Sequence, residues 1–263
     1  NYLFTDGRYT IQSEMESGKY FKIISYEKII NCNLFKNLKL GLDPKLFTYN
    51  QIKNYFLKHN KVKFLSNNLI DEIKTQKVKK YIPFFLLKDE IVGENSKSKI
   101  NKIINYLKKS KADNLFVTAP ENVAWILNIR GGDGPNSPVP NSRLIINKSK
   151  KIFLITETQK AKKLIKEKII NKNQLVITND LPKKIFTLTG KNFIIDNKSC
   201  SVFYENIIKS KFKIIKREDP TYHLKAIKNN TEIENMIKSH IIDGVALTKF
   251  IYWIKKVNKK KIT

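Results

Sequence analysis

Arginine is scarce in this chain. Only Arg8, Arg130, Arg143 and Arg217 occur, although lysine and arginine together number 51 against 23 acidic residues, for a formal net charge of +28. Proteins that read nucleic acid usually concentrate arginine with aromatics on one face, because the guanidinium fork binds phosphate and guanine bidentately. Here the cations are lysines spread along the whole chain among Ile and Asn. That pattern points to a general drift in composition, and nucleic acid is not an expected partner. Scarcity also singles out Arg8 and Arg130, since lysine cannot replace a planar, five-donor fork where one is needed.

Cysteine is nearly absent too. Cys32 and Cys200 lie far apart with no CxxC or Cys/His spacing, which excludes a disulfide framework and argues against structural zinc. Both are expected to be small buried hydrophobes. No run of eighteen apolar residues occurs, and no basic segment followed by an apolar one opens the chain, so neither a membrane span nor a signal peptide is expected. A cytoplasmic location and no membrane partner follow as expectations. Histidine is limited to His59, His223 and His240; no H-E-x-x-H and no close carboxylate and histidine set suited to two metals is present.

What the chain does contain is an α/β rhythm. With 263 residues and 41% apolar content it has material for two ordinary domains. Strands are predicted at Tyr2 onward, Phe21–Ser25, Lys39–Pro44 (short and buried) and Val62–Leu65. Helices are predicted from Tyr26 to Leu38, from Thr48 to about Asn60 and from Asn68 to Lys74. After the turn at Asp6-Gly7, the stretch to Gln12 is open between strand and helix. Tyr81–Gly93 reads as an extended connector because Pro83 breaks helices and a polar, turn-rich stretch follows.

The rhythm then restarts. Ser98 to Ser110 places Ile100, Ile103, Ile104 and Leu107 on one helical face. Strands follow at Asn114–Thr118, at Leu144–Ile146 and Ile152–Ile155 as a hairpin pair, and at Leu175–Ile177, Phe193–Asp196 and Phe212–Ile215. Helices are expected at Pro120–Leu127, Lys160–Ile170 and Val202–Lys209. From Thr231 a long helix begins, with Thr231-x-x-Glu234 as capping box and a seam of Ile233, Ile237, His240, Gly244, Leu247, Ile251 and Ile254. On this reading His240 is a packed core histidine and Gly244 admits a close backbone approach. Trp125 reads as a core residue, and Arg130 with Asp133 as an ion pair fixing a glycine-rich turn.

Three segments resemble the large, three-domain Xaa-Pro aminopeptidases of the creatinase-like metallopeptidases. Phe4-Thr-Asp-Gly-Arg-Tyr-Thr-Ile-Gln12 is similar to the family's W-T-D-G-R-Y-F-L-Q. Val117-Thr-Ala-Pro-Glu-Asn-Val-Ala-Trp-Ile-Leu-Asn-Ile-Arg-Gly-Gly-Asp133, with Pro138-Val-Pro140, is similar to V-T-A-x-D-x-I-A-W-L-x-N-L-R-G-S-D and N-P-V. Lys225 to Leu247 resembles the helix that opens the family's pita-bread catalytic domain.

The resemblance implies an α/β fold of two tandem creatinase N-terminal-like domains, with mixed sheets flanked by helices, plus the first helix of a catalytic domain. The implied boundaries are residues 1–92 for a partial first domain, 93–218 for the second and 219–263 for the start of the third, with truncation at both ends. It also implies removal of an N-terminal residue preceding proline. Two divalent metal ions, manganese or zinc, would serve that reaction, held beyond this segment, so that no metal ligand and no catalytic residue is assigned here. Peptides with proline at the second position are the implied substrates, and a homodimer the implied assembly at full length. Arg8 is the one residue carried over as substrate-binding; the plain alternative is a surface arginine paired with Asp6. Two other readings remain open. One is a creatinase-like protein-binding scaffold without metals, and the other is a basic nucleic-acid-binding protein suggested by charge alone.

Overall fold

Asp6, Thr48, Asn95 and Asn229 each stand just before a helical turn and accept one of its orphan backbone N–H groups. Thr48 and Asn229 complete reciprocal capping boxes with Gln51 and Glu232. The computed structural model describes residues 1–29, 36–73 and 81–257. Its contacts divide into two units, Asn1–Lys79 with Asn197–Lys211, and Lys80–Asp196 with Phe212–Thr263.

The first unit begins with β1 (Tyr2–Thr5), α1 (Thr10–Ser17) and β2 (Lys22–Ser25), continues with β3 (Lys39–Leu42), α2 (Tyr49–Tyr55) and β4 (Lys61–Phe64), and reaches α3 (Leu69–Ile73). β1 pairs parallel with β2 and β3 with β4. Each parallel pair needs a crossover, which α1 and α2 supply. The stretch left open before Gln12 is therefore helical. The expected helix from Tyr26 is a 3-10 turn over Tyr26–Ile29, and residues 36–38 at its expected end are not helical; residues 30–35, with Cys32, lie outside the described residues, as does Lys74. β3 is not buried as expected, because Lys39 and Gly41 are exposed.

The second unit opens with β5 (Phe85–Leu86), α4 (Asp89–Val92), α5 (Ser96–Lys109), β6 (Asn114–Val117), α6 (Pro120–Leu127) and β7 (Ile129–Arg130). It continues through β8 (Arg143–Asn147), β9 (Ile152–Ile155), α7 (Thr158–Lys166), β10 (Leu175–Val176), α8 (Leu181–Thr187) and β11 (Asn192–Ile195). α9 (Val202–Lys209) groups with the first unit, where Val202 and Phe203 donate to the carbonyls of Phe47 and Pro44 at 2.9 and 3.0 Å. β12 (Lys213–Lys216), α10 (Pro220–Ala226) and α11 (Asn230–Lys256) complete the second unit.

Six strands form one mixed sheet in the order β10-β9-β8-β6-β11-β12, antiparallel only across β9–β8 and β8–β6. The β8–β9 pairing is the expected hairpin. β6 is buried at all four positions, as an apolar strand covered on both faces should be. Against the sheet lie Ile103, Ile104 and Leu107 of α5 and Val123, Ile126 and Leu127 of α6 in one core.

The expected connector over 81–93 contains β5, which pairs with β7, and the short α4. α8 and α10, both with proline in the first turn, went unread. α11 is capped by Asn229, two residues before the expected Thr231. None of its described residues is buried, so its expected seam faces outward. His240 is exposed and its Nδ1 lies 2.9 Å from the Met236 carbonyl; it is not a core histidine. A Cβ on Gly244 would meet nothing within 4 Å, so no backbone approaches there. No described helix is long and apolar enough to cross a membrane.

Candidate functional site

The turn after β1 arranges Asp6 and Arg8 as a clamp. Asp6 Oδ1 accepts from the Arg8 backbone N–H at 2.9 Å and from Nε at 3.1 Å, while Oδ2 accepts from Nη2 at 2.8 Å. The side-chain hydrogen bond to Arg8 is the main reason the Asp6 carboxyl is held below its usual range, and the same bond raises the guanidinium. The Arg8 side chain is 80% exposed. Of its five N–H donors, Asp6 engages two in the side-chain bonds. The outer edge of the fork is thus exposed and is oriented by the bonds of the inner edge to Asp6.

The second motif is held differently from the sequence reading. Arg130 and Asp133 do not pair: Asp133 makes its ion pair with Lys160 of α7 and accepts from the Asn141 backbone N–H at 2.7 Å, while Arg130 Nη1 donates to the Ile129 carbonyl at 2.9 Å. Lysine reaches the aspartate because α7 brings Lys160, itself nearly buried, under the loop. The close approach at Gly131, where a Cβ would stand 2.9 Å from Pro140 Cα, keeps the turn tight without the ion pair.

Trp125 is half-buried and packs against the core rather than within it. Its ring lies 4.3 Å from the Nζ of Lys99, which is 1% exposed. Nζ also donates to Asn128 Oδ1 at 2.6 Å and to the Trp125 carbonyl at 3.1 Å. Burial lowers the Lys99 pKa to about 8, against the opposing pull of Glu232 and Glu94. Sequence reasoning missed this residue; its signal is a lysine four positions before Ile103, on the apolar stripe of α5.

A second buried polar cluster was missed as well. Asp219, the N-cap of α10, accepts from Asn122 Nδ2 and from the Thr221 backbone N–H, and its own N–H donates to Asp196 Oδ2. The Asp219-Pro220 start of a helix is the signal that would have found it.

Leu87, Ile91 and Met236 wall a cleft of about 360 Å³ in the second unit, with Arg130, Lys228 and Glu232 at its polar side. Among the described residues no three His, Cys, Asp or Glu side chains converge into a metal site. Cys200 is buried, as expected.

A family model, the Creatinase/Prolidase N-terminal domain, matches residues 75–232. Xaa-Pro aminopeptidase 1 of Dictyostelium discoideum is 30% identical over 97% of this chain and 44% of its own length. Xaa-Pro aminopeptidase ApepP of Drosophila melanogaster is 29% identical over 98% of this chain and 45% of its own. The chain thus spans less than half the length of these curated relatives. Among solved structures, an X-prolyl aminopeptidase from Caenorhabditis elegans, described as a cytosolic enzyme with a di-nuclear active site, shares the fold with a TM-score of 0.77 at 23% identity, over 97% of this chain and 45% of that one. With a mixed α/β architecture and a family match over more than half its residues, this chain belongs to the creatinase/prolidase N-terminal domain family, and its relatives along nearly its whole length are Xaa-Pro aminopeptidases.

Proposed function

We propose that this chain is the non-catalytic portion of a metallo-aminopeptidase that releases an N-terminal residue preceding proline. The observation that carries the reading is the similarity to Xaa-Pro aminopeptidases over 97% of the chain but only 44% of the relative. In this reading residues 1–92 and 93–218 are two creatinase N-terminal-like domains and residues 219–263 open the catalytic domain. The segment shapes the entrance to a cleft, and Arg8 offers the free edge of its fork to a carbonyl or carboxylate of the substrate.

The di-nuclear site named for the nematode enzyme supports two divalent metal ions, manganese or zinc, at a site beyond this segment. The described residues of this chain do not fit such a pair, because no suitable set of ligands converges, and no hydrolytic step is assigned to them. A cytoplasmic, homodimeric protein acting on peptides with proline second completes the proposal.

The test compares this 263-residue chain with a protein extended to its relatives' length, using peptides with proline second. The longer protein should cleave them and lose activity on chelation, while the shorter one should be inactive. Cleavage by the shorter chain overturns the proposal, and a longer protein that binds such peptides without cleaving them replaces it with the scaffold reading.

A further inference from the structure

Arg130 is an arginine that the peptidase reading leaves without a task. Arg8 is clamped by Asp6, and Arg217 donates to the Ser110 hydroxyl at 3.0 Å. Arg130 instead donates to the carbonyl of the preceding residue, and among the described residues no carboxylate stands within ion-pair distance of it. The side chain is half-buried, and burial pushes its pKa down. A partly desolvated cation held in no ion pair is costly to keep, and an anionic ligand relieves that cost.

The cleft beside it supplies the rest of a binding site. Leu87, Ile91 and Met236 form its apolar walls. The wall carrying Ile91 is fixed by Asn235 Nδ2, which donates to the Ile91 carbonyl at 3.0 Å. Two further charged groups face the space. Lys228 Nζ is bonded to the Lys225 carbonyl. Glu232 accepts the Asn229 N–H at 3.0 Å as the second half of the α11 capping box. One oxygen of Glu232 is thus engaged with backbone and its charge acts on the buried Lys99, whereas the guanidinium fork of Arg130 has donors to spare. The space is about 360 Å³ and open to solvent along one side, large enough for a small ligand.

We propose that this cleft binds a small organic carboxylate bearing an apolar side chain, with the carboxylate gripped by Arg130 and the side chain seated against Leu87, Ile91 and Met236. In a chain that uses lysine almost everywhere, an arginine here provides the planar fork that takes both carboxylate oxygens at once. The proposal does not rest on the peptidase reading, and its failure leaves that reading standing.

The probe is N-acetyl-leucine, titrated into the full 263-residue chain by calorimetry or by NMR. Saturable one-site binding is expected. N-acetyl-leucinamide, which lacks the charge, should bind about tenfold more weakly, as should inorganic phosphate, which lacks the apolar part. Arg130→Lys should weaken N-acetyl-leucine by about tenfold while the thermal melt of the chain stays in place. No saturable binding at millimolar concentration overturns the proposal, as does equal affinity for the amide, equal affinity for phosphate, or full affinity in a folded Arg130→Lys chain. Should that variant fail to fold, the comparison of acid with amide on the unaltered chain decides.

Discussion

Asn122 donates through Nδ2 to Asp219 Oδ2 at 2.8 Å, tying the first turn of α6 to the cap of α10 inside the second unit. Both residues are almost fully buried, at 0% and 2% exposure. Burial raises the Asp219 pKa, the bonds from Thr221 and Asn122 pull it down, and the charge of Asp196 adds to the rise. Asn122→Ala should cost about 2 kcal/mol at neutral pH by urea unfolding, the usual worth of a hydrogen bond to a charged group. A carboxyl whose folded pKa is raised stabilises fully below its unfolded pKa near 3.8 and loses that contribution as pH rises through the folded value. The Asn122 bond favours the ionised form, so its removal should cost more at pH 7 than at pH 4. An equal cost at both would refute the ionised-acceptor picture.

Lys99 gives the opposite signature at the alkaline end. Its folded pKa of about 8 lies below the ordinary 10.5, so between those values the unfolded chain binds more protons and stability rises with pH. The gain is at most about 3 kcal/mol. Lys99→Met should reduce the rise between pH 8 and 9.5, whatever it does to absolute stability, with Lys184, whose pKa burial also lowers, supplying what remains. The upper part of the window is avoided because Tyr222, raised to about 12 mainly by burial and then by Glu121, destabilises the fold as pH climbs beyond the ordinary tyrosine pKa.

Asp113 governs the acid limb. Burial works against its ionisation, yet the Asn192 N–H, Lys148 and the Lys191 N–H outweigh it and bring the pKa to about 2. The folded value lies below the unfolded 3.8, so its contribution is complete above pH 4 and is lost as pH falls toward 2, amounting to about 2 kcal/mol. Asp113→Asn should flatten the stability profile between pH 4 and 2, as measured by urea midpoints.

Much of this was legible in the sequence where one periodicity dominates. The stripe Ile103, Ile104, Leu107 fixed α5, and the continuous run Leu115, Phe116, Val117 marked a strand buried on both faces. Arg8 and Asp6 were legible as a pair because only Gly7 separates them. What failed depends on tertiary placement. Lys160 meets Asp133 because α7 folds beneath the loop, a relation twenty-seven residues long that displaced the nearer Arg130. Lys99 hides on an apolar stripe because a tryptophan face and an asparagine receive its ammonium, partners that lie near residue 125. The Arg130 cleft has walls from residues near 90 and near 235, which no local pattern joins. His240 follows the seam of α11 correctly, but the seam itself has no described residue over it.

The start of α11 shows how two local signals compete. Asn229-x-x-Glu232 and Thr231-x-x-Glu234 both satisfy the capping-box pattern, and the chain uses the first. Asn229 wins because its side chain has a second partner: Nδ2 donates to the Val92 carbonyl at 2.8 Å, at the end of α4. Gly93, at φ +69°, makes room for it, and a Cβ there would lie 2.7 Å from Thr231 Cβ and collide with the Asn229 carboxamide. Asn229→Ala should therefore cost about 1 kcal/mol or more, Thr231→Ala less than about 0.5 kcal/mol, and Gly93→Ala about 1–3 kcal/mol through backbone strain and the collision. Because Gly93 and Asn229 share one contact, the double variant should cost less than the two singles added together. Additive losses in urea unfolding, or a Thr231→Ala effect as large as that of Asn229→Ala, would move the cap to Thr231.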